Sequence, residues 1–372
     1  MKIGIDARMY GPKWGGGGIG RYVEELVNEL QKIDSENRFV LFLKRENFDA
    51  CKLINQRFEK VIADAHWYTT KEQLIMPRII DGAHLDLMHY PHWNIPLRAK
   101  TPFVVTIHDL ILLEDPNSAR ATTLGPIRYA IKRIGYNKVL RHAIEKSKAI
   151  ITVSDYVKGS ILTHFNVQSE KIHVIYEGVS SKSQLPNYPI VQLPVASPYF
   201  LYVGSAYPHK NLESLLHAFS FFVKKHPNVR LVLVGKEDKF YKDLKKELQE
   251  IDIDENAVIF TGFVPENVLH ALYANASLYI FPSRHEGFGL PPLEAMRHGV
   301  PVASSNRGPM PEVLGNAAIY FNPDDLEEMV EVMERTQEDE ILRDELVKKG
   351  NERIKRYTWE TMAKEIEAIY EK

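Results

Sequence analysis

From its first residues to about residue 321 the chain alternates short β-branched, apolar runs with longer amphipathic stretches, and this alternation constrains its fold more than any other feature. Successive strands separated by helical stretches pair in parallel, because a parallel pair needs a crossover where an antiparallel pair needs only a turn. The pattern therefore argues for parallel α/β sheets rather than sandwiches or bundles. Strands are expected in the first half at 3–7, 39–43, 61–63, 87–90, 103–107, 149–153 and 172–175. The second half repeats the style at 199–203, 230–234, 258–261, 278–281, 302–304 and 318–321. Between the sets, 180–198 is rich in serine and proline and poor in periodicity, so it reads as a hinge. The expected organisation is two Rossmann-like domains, 1–179 and 199–357, which 372 residues readily supply.

A hydrophobic content of 44% with 26% charged residues is globular, and a net charge of −2 excludes a general electrostatic preference for nucleic acid. The single cysteine, Cys51, forms no internal disulfide and fits a reducing cytosol. The chain opens directly on a strand, without the basic and apolar regions of a signal peptide. No apolar run approaches the roughly twenty residues of a membrane-spanning helix.

The stretch from Glu286 to Met296, E-G-F-G-L-P-P-L-E-A-M, carries chemistry. Leu278 to Ser283 reads as a buried strand stopped by Pro282, so Glu286 hangs from a strand's carboxyl end while Glu294 lies about one turn inside the next helix. The backbone N–H groups of Gly289 and Leu290 open that helix and offer an anion site, with phosphate as the usual guest. Two glutamates flanking a phosphate site suit the hydroxyls of a sugar nucleotide, ribose on one side and hexose on the other. The competing reading is a polar loop followed by a capped amphipathic helix.

This Glu-x7-Glu stretch closely resembles the donor-site signature of the retaining GT-B glycosyltransferases of glycosyltransferase family 4. His298-Gly299-Val300-Pro301-Val302, Ser304 to Gly308 and Pro311-Glu312-Val313 are similar to the family's next strand and loop. Tyr202-Val203-Gly204 and Lys210-Asn211-Leu212 are similar to the start of its second domain, so the resemblance spans essentially the whole chain. It implies two parallel sheets facing across a cleft, with a C-terminal helix (358–372) returning to the first domain. The activity it implies is metal-independent, retaining transfer of a hexose from a nucleotide diphosphate sugar, without a cofactor. Gly-Ile-Gly-Arg-Tyr and Asn-Arg-Gly-Pro-Met-Pro-Glu-Val most resemble bacterial O-antigen mannosyltransferases. GDP-mannose, a glycan or lipid-linked acceptor, lipopolysaccharide synthesis and a cytoplasmic, peripheral location at the inner face of the plasma membrane follow from that likeness. Two other classes stay open, a GT-B-fold nucleotide-sugar epimerase and a non-catalytic nucleotide-sugar-binding module.

The resemblance also distributes roles. Gly17 and Gly18, in a run of four glycines, would let backbone approach the donor's distal phosphate and the acceptor, with Arg21 beside them; the alternative is a flexible loop. The formal G-x-G-x-x-G of Gly15, Gly17 and Gly20 is displaced from its strand and lacks the acid that a dinucleotide ribose needs. His108, at the end of an apolar strand, would contact the transferred sugar, with Asp109 as acceptor-side candidate or loop cap. Ser154, Tyr156 and Lys158 either face the cleft or form an N-cap and first turn. Lys210, following Gly204, would neutralise the diphosphate. Family members often carry an arginine where this chain has His209 or Ser205, which leaves Lys210 as the surer cation and His209 as a pH-dependent substitute. Gly262, Phe263 and Val264 resemble the segment meeting the nucleobase, and Gly287, Phe288, Gly289 and Leu290 complete the donor loop. Asp252-Ile253-Asp254 reads as solvated charge, and no histidine or cysteine cluster has metal-ligand spacing, so no metal is expected. From Arg120 to Lys148 basic residues face one acid, Glu145, while Leu124, Ile127, Ile131 and Ile134 recur at helical spacing. That segment is either an interfacial helix for an anionic membrane surface or a domain helix with a solvated basic flank.

Overall fold

The computed structural model describes residues 1–15, 17–115, 126–179, 195, 196 and 198–371. The side chains of 15 and 126–131, and most of the expected hinge, lie outside the described residues. The strands are β1 Lys2–Asp6, β2 Arg38–Leu43, β3 Phe58–Ile62, β4 Leu87–Tyr90, β5 Phe103–Ile107, β6 Ala149–Thr152 and β7 Ile172–Val174. A second set follows with β8 Tyr199–Val203, β9 Arg230–Val234, β10 Val258–Gly262, β11 Leu278–Phe281, β12 Val302–Ser305 and β13 Ile319–Phe321. Each set forms one sheet, in the orders β3-β2-β1-β4-β5-β6-β7 and β10-β9-β8-β11-β12-β13. All neighbours are parallel.

Central strands such as β4 and β5 are buried throughout, which a parallel sheet covered by helices on both faces requires. The expected third strand, 61–63, begins earlier, at Phe58. Glu59 and Lys60 hide it from a hydrophobicity pattern because β3 is an edge strand and tolerates polar residues.

The described parts of Met1–Leu110, Thr122–Gly178 and Trp359–Lys372 make one compact unit; those of Ile111–Ala121 and Val179–Thr358 make the other. In the first, the helix Gly18–Leu30 buries Tyr22, Val23, Leu26, Val27 and Leu30, a stripe at helical spacing. Each such side chain contributes about 1.5–3 kcal/mol relative to exposure. The helix Trp359–Tyr370 packs on Gly18–Leu30, and its Tyr370 Oη meets His89 Nδ1 of β4 at 2.6 Å. Burial holds His89 neutral, its pKa pushed down to about 3.

In each sheet the chain winds outward from its first strand and then returns to that strand's other side, placing β4 beside β1 and β11 beside β8. Loops leaving such a neighbouring pair diverge to opposite faces and open a crevice at the carboxyl ends.

Candidate active site

At the second unit's crevice, the loop after β8 runs through the turn Pro208–Lys210 into the helix Leu212–Lys225. Asn211 makes that turn in the left-handed region at φ 60°, held by Nδ2 donating to Pro323 O at 2.7 Å. The loop after β11 leads to Gly289, also left-handed at φ 99°, which opens the helix Leu290–Arg297. Only glycine fits there, since a Cβ would also lie 2.4 Å from Met310 Cε. Arg284 N–H donates to His209 O at 2.8 Å, so the two loops are joined through their backbones. Between them Lys210 Nζ donates to Glu286 Oε1 at 2.6 Å, with 18% and 12% of the two side chains exposed. A charged hydrogen bond at this depth is stronger than a surface pair, yet both groups remain reachable from solvent.

His209 does not become the missing cation. Burial first, then Lys210 and His285, push its pKa down to about 3, so it is neutral at physiological pH. Its ring instead stacks on Tyr207. The Phe288 side chain is buried edge-on against Tyr357, so what it offers the loop is its backbone. Glu294 accepts from Tyr273 Oη at 3.1 Å, a partner outside every local motif. Gly262, the last residue of β10, turns at φ 69° and Phe263 is 84% exposed, with half-buried Val264 following. Gly204 O accepts from Tyr241 Oη at 2.8 Å, which ties the end of β8 to the neighbouring helix.

In the first unit, Gly17 caps the helix Gly18–Leu30 at φ 81°, and a Cβ on Gly17 or Gly18 would meet nothing within 4 Å. Gly20 is the packing glycine, its Cβ position 2.4 Å from Gly11 O. Gly16 lies outside the described residues. Arg21 pairs with Glu25 one turn on. His108 is buried, with Nδ1 at 3.0 Å from Glu177 Oε1 and Nε2 donating to Pro91 O at 2.9 Å. Both partners are acceptors, so the ring is best satisfied as an imidazolium. Burial works against that charge, but the hydrogen bond and charge of Glu177 with Pro91 O outweigh it and raise the pKa. A nitrogen expected to grip a sugar hydroxyl therefore already has a partner. Asp109 lies near enough to favour the same charge and to act on Tyr68.

Ser154 caps the helix Asp155–His164 by accepting from Val157 N–H, the capping alternative of the sequence reading. Lys158 Nζ donates to Ile172 O, at the start of β7 rather than at a strand's carboxyl end, and Tyr156 is half-buried in the first helical turn. Of the expected apolar stripe in the basic segment, Leu124 and the side chains of Ile127 and Ile131 lie outside the described residues, and Ile134 is 70% exposed. Among its described side chains the helix Pro126–Lys146 buries Tyr136, Leu140, Ala143 and Ile144.

The first unit's own crevice holds residues that local motifs missed. Arg8 Nε and Nη2 clasp Asp6 at 2.8 and 2.6 Å, and Nη2 also reaches Glu72 Oε1 at 2.6 Å. Asn94 Nδ2 donates to both oxygens of Glu72. Asp6-Ala7-Arg8, charged residues directly at the end of an apolar strand, were the available signal.

Comparison with known proteins places these sites in context. The family described as Glycosyl transferases group 1 matches residues 188–353, and Glycosyltransferase Family 4 matches 16–182. The chain is 29% identical to the O-antigen chain mannosyltransferase B of Escherichia coli, over 92% of this chain and 93% of that one. It is 32% identical to the O-antigen chain mannosyltransferase RfbU of Salmonella typhimurium, over 70% of this chain and 67% of the relative. Sucrose-phosphate synthase from Thermosynechococcus elongatus superposes with a TM-score of 0.78 at 20% identity, covering 100% of this chain and 98% of the other. That last likeness shows the fold, two parallel-sheet α/β units of GT-B type.

Proposed function

Since the chain belongs to the group 1, family 4 glycosyltransferases, we propose that it transfers mannose from GDP-mannose, with retention, to a glycan or lipid-linked acceptor in O-antigen assembly. The observation that carries the reading is the Lys210–Glu286 pair at the second unit's switch point. The hard step in such a transfer is departure of the nucleoside diphosphate, and a preorganised cation where charge develops is the largest available contribution. Lys210 is held there at partial burial. An incoming diphosphate competes with Glu286 for the ammonium and leaves that carboxylate to accept from sugar hydroxyls. The N–H groups of Gly289 and Leu290 add donors toward the same anion, since Pro291 and Pro292 have none.

Glu294, oriented by Tyr273, takes the ribose hydroxyls, and the exposed ring of Phe263 offers a face to the base. Glu286, once released from Lys210, is occupied in accepting from sugar hydroxyls, and the leaving phosphate itself takes the acceptor's proton on the same face. The test is a panel of GDP-, UDP- and ADP-sugars with mannoside acceptors. We expect GDP-mannose to be used, GDP to appear only when an acceptor is supplied, and the new linkage to keep the donor's anomeric configuration by NMR. Nucleotide release without acceptor would favour an epimerase, and binding without turnover a non-catalytic module.

A lipid-linked acceptor calls for membrane docking. Among the described residues no helix is long and apolar enough to cross a membrane. The exposed Lys138 and Arg141 share the helix face of the exposed Ile134, with Arg133 on its flank, while Tyr136, Leu140 and Ile144 form the inward stripe, so the helix can pack and dock at once. Sedimentation should show salt-sensitive binding to anionic vesicles, weakened when Arg133 and Lys138 are reversed to Glu, at about 1 kcal/mol per residue. Equal binding to neutral vesicles would exclude electrostatic docking.

A further inference from the structure

Tyr68 is the largest of the three non-glycine residues with a left-handed backbone among the described residues, at φ 62° beside His84 and Asn211. A bulky side chain is a genuine outlier there, and such strain persists only where the surroundings over-determine it. The surroundings are the buried charge network. Tyr68 N–H donates to Glu72 Oε2 at 2.9 Å, Glu72 is fully buried, and Arg8 and Asn94 hold its carboxylate in place. This support ends in a side chain that is not buried, since Tyr68 is 47% exposed.

What the network holds up is an aromatic shelf. The rings of Tyr68 and Trp93 lie 5.4 Å apart at 37°, and Trp93 is braced edge-on by Tyr136 at 4.6 Å. A small cavity lined by Asp6, Arg8, Trp67, Pro91, His92 and Asn94 lies at the carboxyl ends of β1 and β4, beside residues of the same network. That is the first sheet's switch point, where open α/β sheets take ligands. The polar groups are oriented as well. Asn94 N–H donates to His92 Nδ1 at 3.2 Å, so the ring proton sits on Nε2 and faces Tyr68 Oη at 3.4 Å. Tyr68 Oη then accepts from His92 and keeps its own proton to donate.

A strained, half-exposed aromatic shelf with one oriented hydroxyl matches a neutral pyranose ring, whose C–H face packs on aromatic rings while its hydroxyls take hydrogen bonds. We propose that Tyr68 and Trp93, propped by the Arg8–Glu72–Asn94 network, form a subsite for one hexose ring of the acceptor glycan. The proposal rests on the glycosyltransferase reading above and adds where and by what chemistry the acceptor is held.

The experiment measures steady-state kinetics with GDP-mannose and α-linked mannotriose for the whole chain, together with thermal unfolding. Tyr68→Gly and Trp93→Leu should each raise the acceptor KM by about tenfold or more, as loss of a buried aromatic contact does, while the donor KM stays within about twofold. Tyr68→Gly should unfold at or above the wild-type temperature, because glycine relieves the left-handed strain; a purely structural tyrosine would lower it. Tyr68→Phe keeps the stacking face and should lose less than either. Unchanged acceptor KM in Tyr68→Gly and Trp93→Leu, with the wild type active on mannotriose, would overturn the subsite and leave the transferase reading intact. A wild type that binds GDP but transfers to no mannoside would remove the reading itself, and the subsite with it.

Discussion

Two crevices with the same topology are built with opposite electrostatics. At the β8–β11 switch point a lysine faces one carboxylate and both stay partly solvated. At the β1–β4 switch point an arginine is clamped between two carboxylates, with 2% of Arg8 and none of Glu72 exposed. Arginine's planar fork suits several fixed acceptors, whereas lysine's flexible point charge can change partners. The difference teaches that the second crevice is arranged for exchange with an anion and the first for rigidity.

The sharpest way to break that contrast is to remove each cation. Arg8→Ala leaves two buried carboxylates without their partner and should destabilise the protein by about 3–5 kcal/mol, read by urea unfolding. Lys210→Ala should cost little stability but reduce kcat by about 10²- to 10³-fold, as loss of a donor to developing charge does. Similar unfolding losses in both variants would erase the distinction. His209→Ala should affect rate far less and leave the pH profile unchanged between pH 5 and 8, since His209 is neutral throughout that range.

Within the second crevice, Glu294→Ala should weaken GDP binding by about 1.5–3 kcal/mol in calorimetry, while Glu286→Ala suppresses turnover more than affinity. The reverse pattern would exchange their roles.

The smallest effect concerns His108 in the first unit. Its folded pKa is raised above the ordinary 6.5, so the folded state holds the proton more tightly than the unfolded chain. Its contribution to stability is therefore full below about 6.5 and is lost as pH rises through the raised value. Glu177→Gln should be less stable than wild type at pH 6, and the gap should narrow with increasing pH. A gap that is constant across pH would show that Glu177 supports the fold without the imidazolium.

How legible each crevice was follows from how local its signals are. Glu286, Gly289 and Glu294 lie within one strand-to-helix turn, and the strand end before it is marked by Pro282. The first crevice has no such compact mark: Arg8 and Glu72 are 64 residues apart, and Tyr68 reads as an ordinary loop aromatic until its φ is known. For Phe288 and Lys158 position along the chain left the side chain's direction open, because that direction depends on what packs beside it. Phe288 faces Tyr357, and Lys158 faces a carbonyl of β7.

By itself the sequence determined the two parallel α/β units and the donor-loop signature, because periodicity and short motifs are encoded among neighbours. Tertiary structure alone decided which charges meet and how they titrate. Lys210 reaches Glu286 across 76 residues, His108 reaches Glu177 across 69, and Tyr370 reaches His89 across 281. Sheet order brings these partners together, and neighbours and burial together set the direction of each shift: a buried histidine is pushed toward its charged form by a carboxylate, while a half-buried one is held neutral by burial and a nearby lysine.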